Sequence, residues 1–295
     1  MRIEVLICTF RRPFLEQTLA SVAAQMLPDG VSLGVIVADN DTSPTAQRLV
    51  ERIAAGFPFA LTYVHAPDCN ISVARNACLD AATADYVAFL DDDETASPGW
   101  IAGLWQAMRA TGVDAVFAPA RAVYPPGAPD WITSPDYHSN IPERRGGVVM
   151  TGHTCNAILR WTGAPWQGVR FDLARGRSGG EDTAFFFALR QMGARFEATA
   201  GAEVFEPVVP GRLTFGWLAR RKFRMGQSYA SSESTRFGQV RLALTALCKA
   251  GFCAVLALVY AGLPIKRNFW ALRGCLHCGV VAGCLALPEP QAYGQ

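Results

Sequence analysis

The chain has 295 residues, a net charge of +2 and a composition that is 51% hydrophobic. That length holds one large α/β domain with an appendage, or two modest domains, with a sizeable core in either case. The balanced charge argues against a nucleic-acid partner, which would leave a strongly basic stripe, and nine irregularly spaced cysteines, several in apolar runs, argue for free thiols in a reducing compartment.

Ile3 to Cys8 is an apolar run followed at once by Arg11 and Arg12, which reads as a strand rather than an export signal, so a cytosolic location is expected. Behind Pro13, a residue suited to a first helical turn, Leu15, Leu19, Val22, Ala23 and Met26 repeat at helical spacing. Gly34 to Ala38 predicts a second strand, and Ser43-Pro44 predicts a helix start ahead of Ala46, Leu49, Val50 and Ile53. Leu61 to His65 and Tyr86 to Leu90 continue the strands, and Arg75 and Asn76 fall in the first turns of a helix between them. Ser97-Pro98 repeats the helix start before Ile101, Leu104, Trp105 and Met108, and Ala115 to Ala118 is the fifth strand candidate. Alternation of this kind predicts a doubly wound sheet of parallel strands joined by helices.

From Pro119 to Gly147 the periodicity fades into a segment rich in proline, aspartate and arginine, expected to be irregular loop with short elements. A helix is expected from Glu181 to near Gly193, with Phe185, Leu189 and Met192 on one face. Leu242 to Leu263 then carries one charge, Lys249, over a length that spans a bilayer, and a second apolar stretch, Phe269 to Leu287, is interrupted by Arg273 and His277.

Ligands of doubly wound sheets sit beyond the carboxyl ends of the strands, which directs attention to three polar edges: Thr9 to Arg12, Asp39-Asn40-Asp41 and Asp91-Asp92-Asp93-Glu94. Three consecutive carboxylates repel one another unless a cation sits among them, and hard oxygens suit Mg²⁺ or Mn²⁺; a solvated acidic turn is the plainer alternative. Asp39 could accept a hydrogen bond from a base or ribose, or form an Asx-turn; Arg75 could meet phosphate or the acidic triplet, or be a surface arginine. In Gly179-Gly180-Glu181-Asp182 two glycines permit a tight turn and two acids open a helix, where one could act as a base or both could simply complement the helix dipole.

Taken in order, these motifs resemble glycosyltransferase family 2 with the GT-A fold (the nucleotide-diphospho-sugar transferase fold), over about residues 3 to 230. Ile7 to Arg12 resembles the family's opening strand and base-binding loop, Val37 to Asp41 its second-strand acid, Ala74-Arg75-Asn76 its arginine-asparagine element, Asp91-Asp92-Asp93 its metal motif and Gly180-Glu181-Asp182 its base motif. The resemblance implies that Thr9, Arg11, Asp39 and Arg75 contact the nucleotide, with Asp91 and Asp92 at its ribose and metal edge. It implies further that Asp93 and Asp91 hold Mg²⁺ or Mn²⁺ at the diphosphate, that Asp182 is the catalytic base and that Glu181 orients it or the acceptor. Arg221 and Arg224, in Arg220-Arg221-Lys222-Phe223-Arg224, stand where relatives place cations facing the leaving diphosphate; a helix face on anionic lipid is the alternative.

Phe171-Asp172 and the apolar tail resemble the subfamilies that build bacterial exopolysaccharide of the succinoglycan type. The glutamine-rich tryptophan motif of processive synthases is missing from the sequence, which favours transfer of one sugar per encounter over polymerisation. The resemblance implies inversion and a nucleotide-diphosphate sugar donor, a UDP-sugar first among them, and the apolar tail suggests a glycan or lipid-linked oligosaccharide as acceptor. The expected division is a catalytic domain over 1–230 and an apolar helical tail over 231–295. If both tail segments spanned a bilayer, Lys266 and Arg267 would lie outside, against the positive-inside tendency, so the expected arrangement is a hairpin on the cytoplasmic face of the inner membrane. Two rival readings are a sugar nucleotidyltransferase, which would want a glycine-rich loop where Thr9 to Arg12 has no glycine, and an inactive membrane scaffold, which the full set of acids disfavours.

Overall fold

The computed structural model describes residues 1–144, 146–230 and 235–288. In chain order the elements are β1 (Arg2–Thr9), α1 (Leu15–Ala23), β2 (Ser32–Asp39), α2 (Gln47–Ala54), β3 (Ala60–His65), α3 (Ile71–Ala81) and β4 (Tyr86–Leu90). There follow β5 (Thr95–Ala96), α4 (Trp100–Thr111), β6 (Ala115–Phe117), β7 (Ala120–Val123), α5 (Asp130–Thr133), β8 (Asn156–Arg160), α6 (Glu181–Gln191), β9 (Phe196–Ala198) and β10 (Val204–Pro207). The chain closes with α7 (Phe215–Ala230), α8 (Arg236–Val259) and α9 (Pro264–Cys284). Among the described residues two compact units are formed, one from Met1–Ala122 and Ser139–Glu206, the other from Val123–His138 and from residues 207–230 and 235–288.

The first unit is a mixed α/β sandwich. Among the described residues its seven-stranded sheet runs β3-β2-β1-β4-β8-β6-β9. The first four strands in that order are parallel, and β8 enters antiparallel between β4 and β6. β1 and β2 are apolar almost throughout because helices cover both faces, leaving no solvent side to demand alternation. Two cores result: Val5, Ile7, Leu19 and Ile101 on one face, Leu6, Phe89, Phe117 and Phe186 on the other. The five predicted strands stand within two residues of their expected limits. β8 was not legible, since three consecutive apolar residues between Asn156 and Arg160 are too few to show a period.

One local expectation needs correction. Neither Ser43 nor Ser97 caps a helix through its side chain; α2 and α4 start after Ala46 and Gly99, and Ser97 instead offers its backbone carbonyl to the Trp100 N–H at 3.0 Å. The Pro119 to Gly147 segment holds the short elements expected of it, β7, which joins β5 and β10 in a second sheet, and α5.

The second unit is helical. α7 and α8 both pack along α9, and α5 also touches α9. The contacts thus divide the chain near Glu206, whereas composition changes near residue 230: α7 looks like part of a soluble domain but finds its packing partner in α9. The tail stretches are both helical, broken at residues 260–263 just before Pro264, which opens α9. α8 is long and apolar enough to cross a membrane, and it leaves Phe237 (81%), Leu258 (77%) and Leu244 (61%) exposed.

Candidate active site

The parallel register places the ends of β1 and β2 side by side, Thr9 against Asp39, and β4 runs next to β1, so Asp91, Asp92 and Asp93 emerge at the same edge. Arg12 leans on the triplet, its guanidinium 3.8 Å from Asp92 and 3.4 Å from Asp93. One arginine does not neutralise three carboxylates. Burial, then Asp93 and Glu206, push the Asp91 carboxyl up to about 7 against the pull of Arg75; 41% of this side chain stays exposed, so water screens its rise more than that of Asp92, which keeps 11%. Asp92 is likewise pushed up to about 7, by burial and then by Asp93, against Thr9 and Arg12. Buried Glu94, whose carboxylate accepts the Asp91 N–H at 3.0 Å, is raised as well, by burial first.

Arg75 ties this edge to the start of α6. Asn70 caps α3 by accepting the Ser72 N–H at 3.0 Å, which fixes the turn on which Arg75 rides. The Arg75 side chain is 8% exposed, stacks over the Phe171 ring at 5.6 Å, lies 3.7 Å from the Asp91 carboxylate and donates to Glu181 Oε1. Burial alone would lower its pKa, but Glu181 and Asp91 outweigh that and hold it above the usual arginine value. Glu181 is 2% exposed and its Oε2 has no hydrogen-bond partner; burial raises its pKa despite Arg75.

Gly179 and Gly180 at φ +99° and +81° make the turn that opens α6, a conformation that a Cβ would strain. Asp182 follows in the first helical turn. Its Oδ1 accepts the Thr183 N–H at 2.6 Å, and its Oδ2 lies 2.8 Å from His153 Nδ1. Burial would raise the Asp182 carboxyl, yet His153, Arg75 and the Thr183 N–H together draw it down to about 2. His153 comes from the loop before β8, and Gly152 seats that loop against the sheet: a Cβ there would run into the Phe117 ring.

The other expected residues sit as follows. Arg11, at φ +53°, points back to make a bidentate pair with Asp41 at 2.8 Å, which helps offset a left-handed backbone costing about 1–2 kcal/mol. Asp39 is fully buried and accepts from the Asp41 N–H (3.1 Å), the Ala46 N–H (2.8 Å) and the Tyr63 hydroxyl (3.0 Å), so its carboxylate fixes the loop after β2. Arg221 and Arg224 lie on α7 in the second unit, where the Arg221 guanidinium stands 5.4 Å over the Trp217 ring.

Residues 4–162 match the glycosyl transferase family 2 pattern. The whole chain is 45% identical to the succinoglycan biosynthesis protein ExoM of Rhizobium meliloti (strain 1021), covering 96% of that protein. The chain belongs to glycosyl transferase family 2. Solved structures share the fold at low identity. Mannosyltransferase PcManGT from Pyrobaculum calidifontis, in complex with GDP-Man and Mn²⁺, superposes with a TM-score of 0.64 at 19% identity, over 95% of this chain and 86% of that one. S. aureus TarS 1-349, in complex with UDP-GlcNAc, gives 0.54 at 15% identity, over 92% and 90%. The glycosyltransferase therefore has the GT-A architecture that its motif order implied.

Within this glycosyltransferase the structure brings Asp91, Asp92, Asp93, Arg75, Glu181 and Asp182 into one linked network. Two further residues join it that the motifs did not single out: Arg12, which closes the opening motif, and His153, a lone histidine that reads from sequence as a hydrogen-bonded loop or acceptor-site residue and meets a partner 29 residues away. The donor set fits Mg²⁺ or Mn²⁺. Its oxygens are hard, and the two carboxyls raised to about 7, by burial first and by neighbouring acids next, are ones whose ionised form a dication would favour. Among the described residues no three His, Cys, Asp or Glu side chains already converge as a cage. Such a cage is not required of a cation that ordinarily binds through one or two carboxylates and a substrate's phosphates.

Proposed function

We propose that the enzyme transfers one sugar, with inversion at the anomeric carbon, from a nucleoside diphosphate sugar, a UDP-sugar first among them, to a hydroxyl of a glycan or lipid-linked oligosaccharide. The observation that carries this reading is Arg75, a buried cation that joins the acids after β4 to the acids opening α6. Transfer by inversion needs those two functions at one place: stabilisation of a departing diphosphate, and a base for the incoming hydroxyl on the opposite face. Identity of 45% with a succinoglycan biosynthesis protein supports a place in exopolysaccharide assembly.

In this reading Asp91 and Asp93 hold Mg²⁺ or Mn²⁺, which supplies Lewis-acid stabilisation of the diphosphate's charge. Thr9, Arg11, Arg75 and Asp92 line the nucleotide edge, and Asp39 serves it by fixing the loop after β2. Asp182 stands on the acceptor side as the base, and the unpartnered Glu181 Oε2 is an acceptor for a substrate hydroxyl. By the resemblance alone, Arg221 and Arg224 would meet the departing diphosphate. The exposed apolar face of α8 supports attachment to the cytosolic face of the inner membrane, with α8 and α9 lying in the interface.

A screen of nucleotide sugars with Mn²⁺ by thermal shift tests the reading, because a ligand of the folded state raises its apparent stability. Saturable stabilisation by one nucleotide sugar, lost in Asp93→Ala, is expected. No response to any nucleotide sugar would sink it. For the membrane, retention on anionic vesicles without a protease-accessible loop on the far side is expected.

A further inference from the structure

Charge is shared unevenly along this chain. Eleven of the 27 Lys and Arg residues, and none of the 25 Asp and Glu residues, fall in 207–230 and 235–288, so a whole-chain charge of +2 hides basic helices and an acidic remainder. Arg236, Arg241, Lys249, Lys266, Arg267 and Arg273, all on α8 and α9, are exposed. Among the described residues the second unit's acids, Asp130 and Asp136, lie on α5 or just after it. α7, α8 and α9 therefore bring no carboxylate of their own to neutralise their cations, and a field of one sign attracts anions.

The same helices display apolar surface. On α8, Leu244, Leu247, Val255 and Leu258 share one face at helical spacing, and each is more than half exposed. Gly238, Ala246 and Cys253 take the opposite side and are buried, Cys253 against Gly274 of α9. Aromatic rings stand beside the exposed face: Trp270 meets Phe252 and Phe269 edge-on at 5.8 and 5.3 Å, and Lys266 Nζ lies 5.2 Å over the Tyr260 ring. Aromatic rings and long cations are the side chains that settle at the level of lipid headgroups. A soluble polyanion would account for the charge and leave the apolar face unexplained; a bilayer with anionic headgroups accounts for both.

Packing decides how the helices meet such a surface. At 1.5 Å per residue α8 is about 36 Å long, enough to cross hydrocarbon, but Lys249 stands near its middle. α9 packs along both α8 and α7. Carrying α8 across would draw α9 after it, and with α9 the Arg220-Arg221-Lys222 run of α7, into a medium where each charge is costly. Lying in the plane of the surface keeps every cation at headgroup level.

We propose that α7, α8 and α9 together recognise the anionic phospholipid surface of a bilayer, α8 seating its apolar face at the headgroup boundary while the cations of all three helices gather anionic headgroups around it. This rests on the membrane attachment proposed above and names its partner. Two signals act together, apolar insertion and charge, and each alone gives weak, reversible binding. The amount of enzyme on a membrane then follows that membrane's anionic lipid content.

Co-sedimentation of the full-length protein with vesicles tests this, comparing phosphatidylcholine alone with phosphatidylcholine containing about 30 mol % phosphatidylglycerol. Partition at about 0.1 M salt should be at least ~100-fold stronger on the anionic vesicles, and most of that difference should vanish near about 1 M, where screening reaches about 3 Å. Replacing four exposed cations, Arg236→Gln, Arg241→Gln, Lys266→Gln and Arg267→Gln, should weaken anionic binding at least ~100-fold, at about fivefold per charge, and leave binding to neutral vesicles unchanged. Leu244→Gln with Leu247→Gln should weaken both. The comparison of lipids and of salt needs no variant, so it stands even if a substitution disturbs folding. Equal partition on both compositions overturns the proposal and leaves membrane attachment standing; no partition on either overturns attachment as well. Binding to soluble polyphosphate without binding to vesicles reassigns the basic helices to a polyanion. Cleavage after Lys266 or Arg267 by trypsin trapped inside the vesicles, with inhibitor outside, shows α8 crossing and overturns the in-plane arrangement.

Discussion

Carboxylates sit at both ends of one arginine, and Asp182 at one end behaves oppositely to Asp91 and Asp92 at the other. After β4, Asp91 and Asp92 are pushed up to about 7, by burial first and by neighbouring acids next. At the start of α6, Asp182 is equally in the protein's interior field yet is drawn down to about 2, because an imidazole and a backbone N–H meet it. The residue type is the same; the partners differ. A site short of positive charge is one suited to recruiting a cation, whereas a site already supplied with donors is suited to holding a fixed geometry.

The largest effect should come from removing the arginine that both clusters share. Arg75→Ala leaves Glu181 buried and unpaired, and a loss of about 3–5 kcal/mol is expected in chemical unfolding. Arg75→Ala/Glu181→Gln should regain part of that stability without regaining transfer, which would separate folding from chemistry. Next, Asp93→Ala and Asp182→Asn should each lower turnover at least ~100-fold while leaving the fold intact; near-normal transfer by either removes its assigned role.

The pH behaviour of Asp91 and Asp92 should differ in sign from that of Asp182. Asp91 and Asp92 have folded values near 7 against an ordinary 3.8, so the folded chain keeps protons that the unfolded chain releases. Without a divalent cation, their contribution to stability is present below about pH 4 and is lost as pH rises toward about 7. Mn²⁺ with UDP, which requires the ionised carboxylates, should therefore raise the melting temperature more at pH 8 than at pH 5.5, and an equal gain at both would contradict the description of this edge. Asp182 runs the other way: its contribution is present above the ordinary carboxylate range and is lost as pH falls toward about 2. The smallest effect on stability is expected on α8, where Leu244→Glu with Leu247→Glu should change unfolding by no more than about 0.5 kcal/mol per site, since both are exposed, while weakening binding to anionic vesicles.

β1, β2 and β4 were legible because they are buried on both faces and read as apolar runs, each closed by a polar edge. The acids after β4 and those opening α6 were legible for a related reason: consecutive charges after an apolar run, or after two glycines, stand out against their surroundings. β8 was not, since its apolar stretch is only three residues long and its place between β4 and β6 follows from pairing with strands far away in sequence. The serines ahead of α2 and α4 looked like caps but do not cap, because a motif records what a side chain can do and not what its backbone lets it reach.

The sequence by itself determined the alternation of strands and helices from β1 to β6, the polar edges, the turn into α6 and membership of the family, all of which depend on contacts or patterns local in the chain. Only the tertiary structure decided that Arg11 belongs to Asp41, that Arg12 leans on the triplet, that α7 packs with the tail helices and that His153 meets Asp182. Those are pairings between residues that are distant in sequence, and no periodicity along a chain encodes which of many compatible charges will be brought together. That choice is made by how the sheet and its loops pack, which a one-dimensional pattern constrains but does not specify.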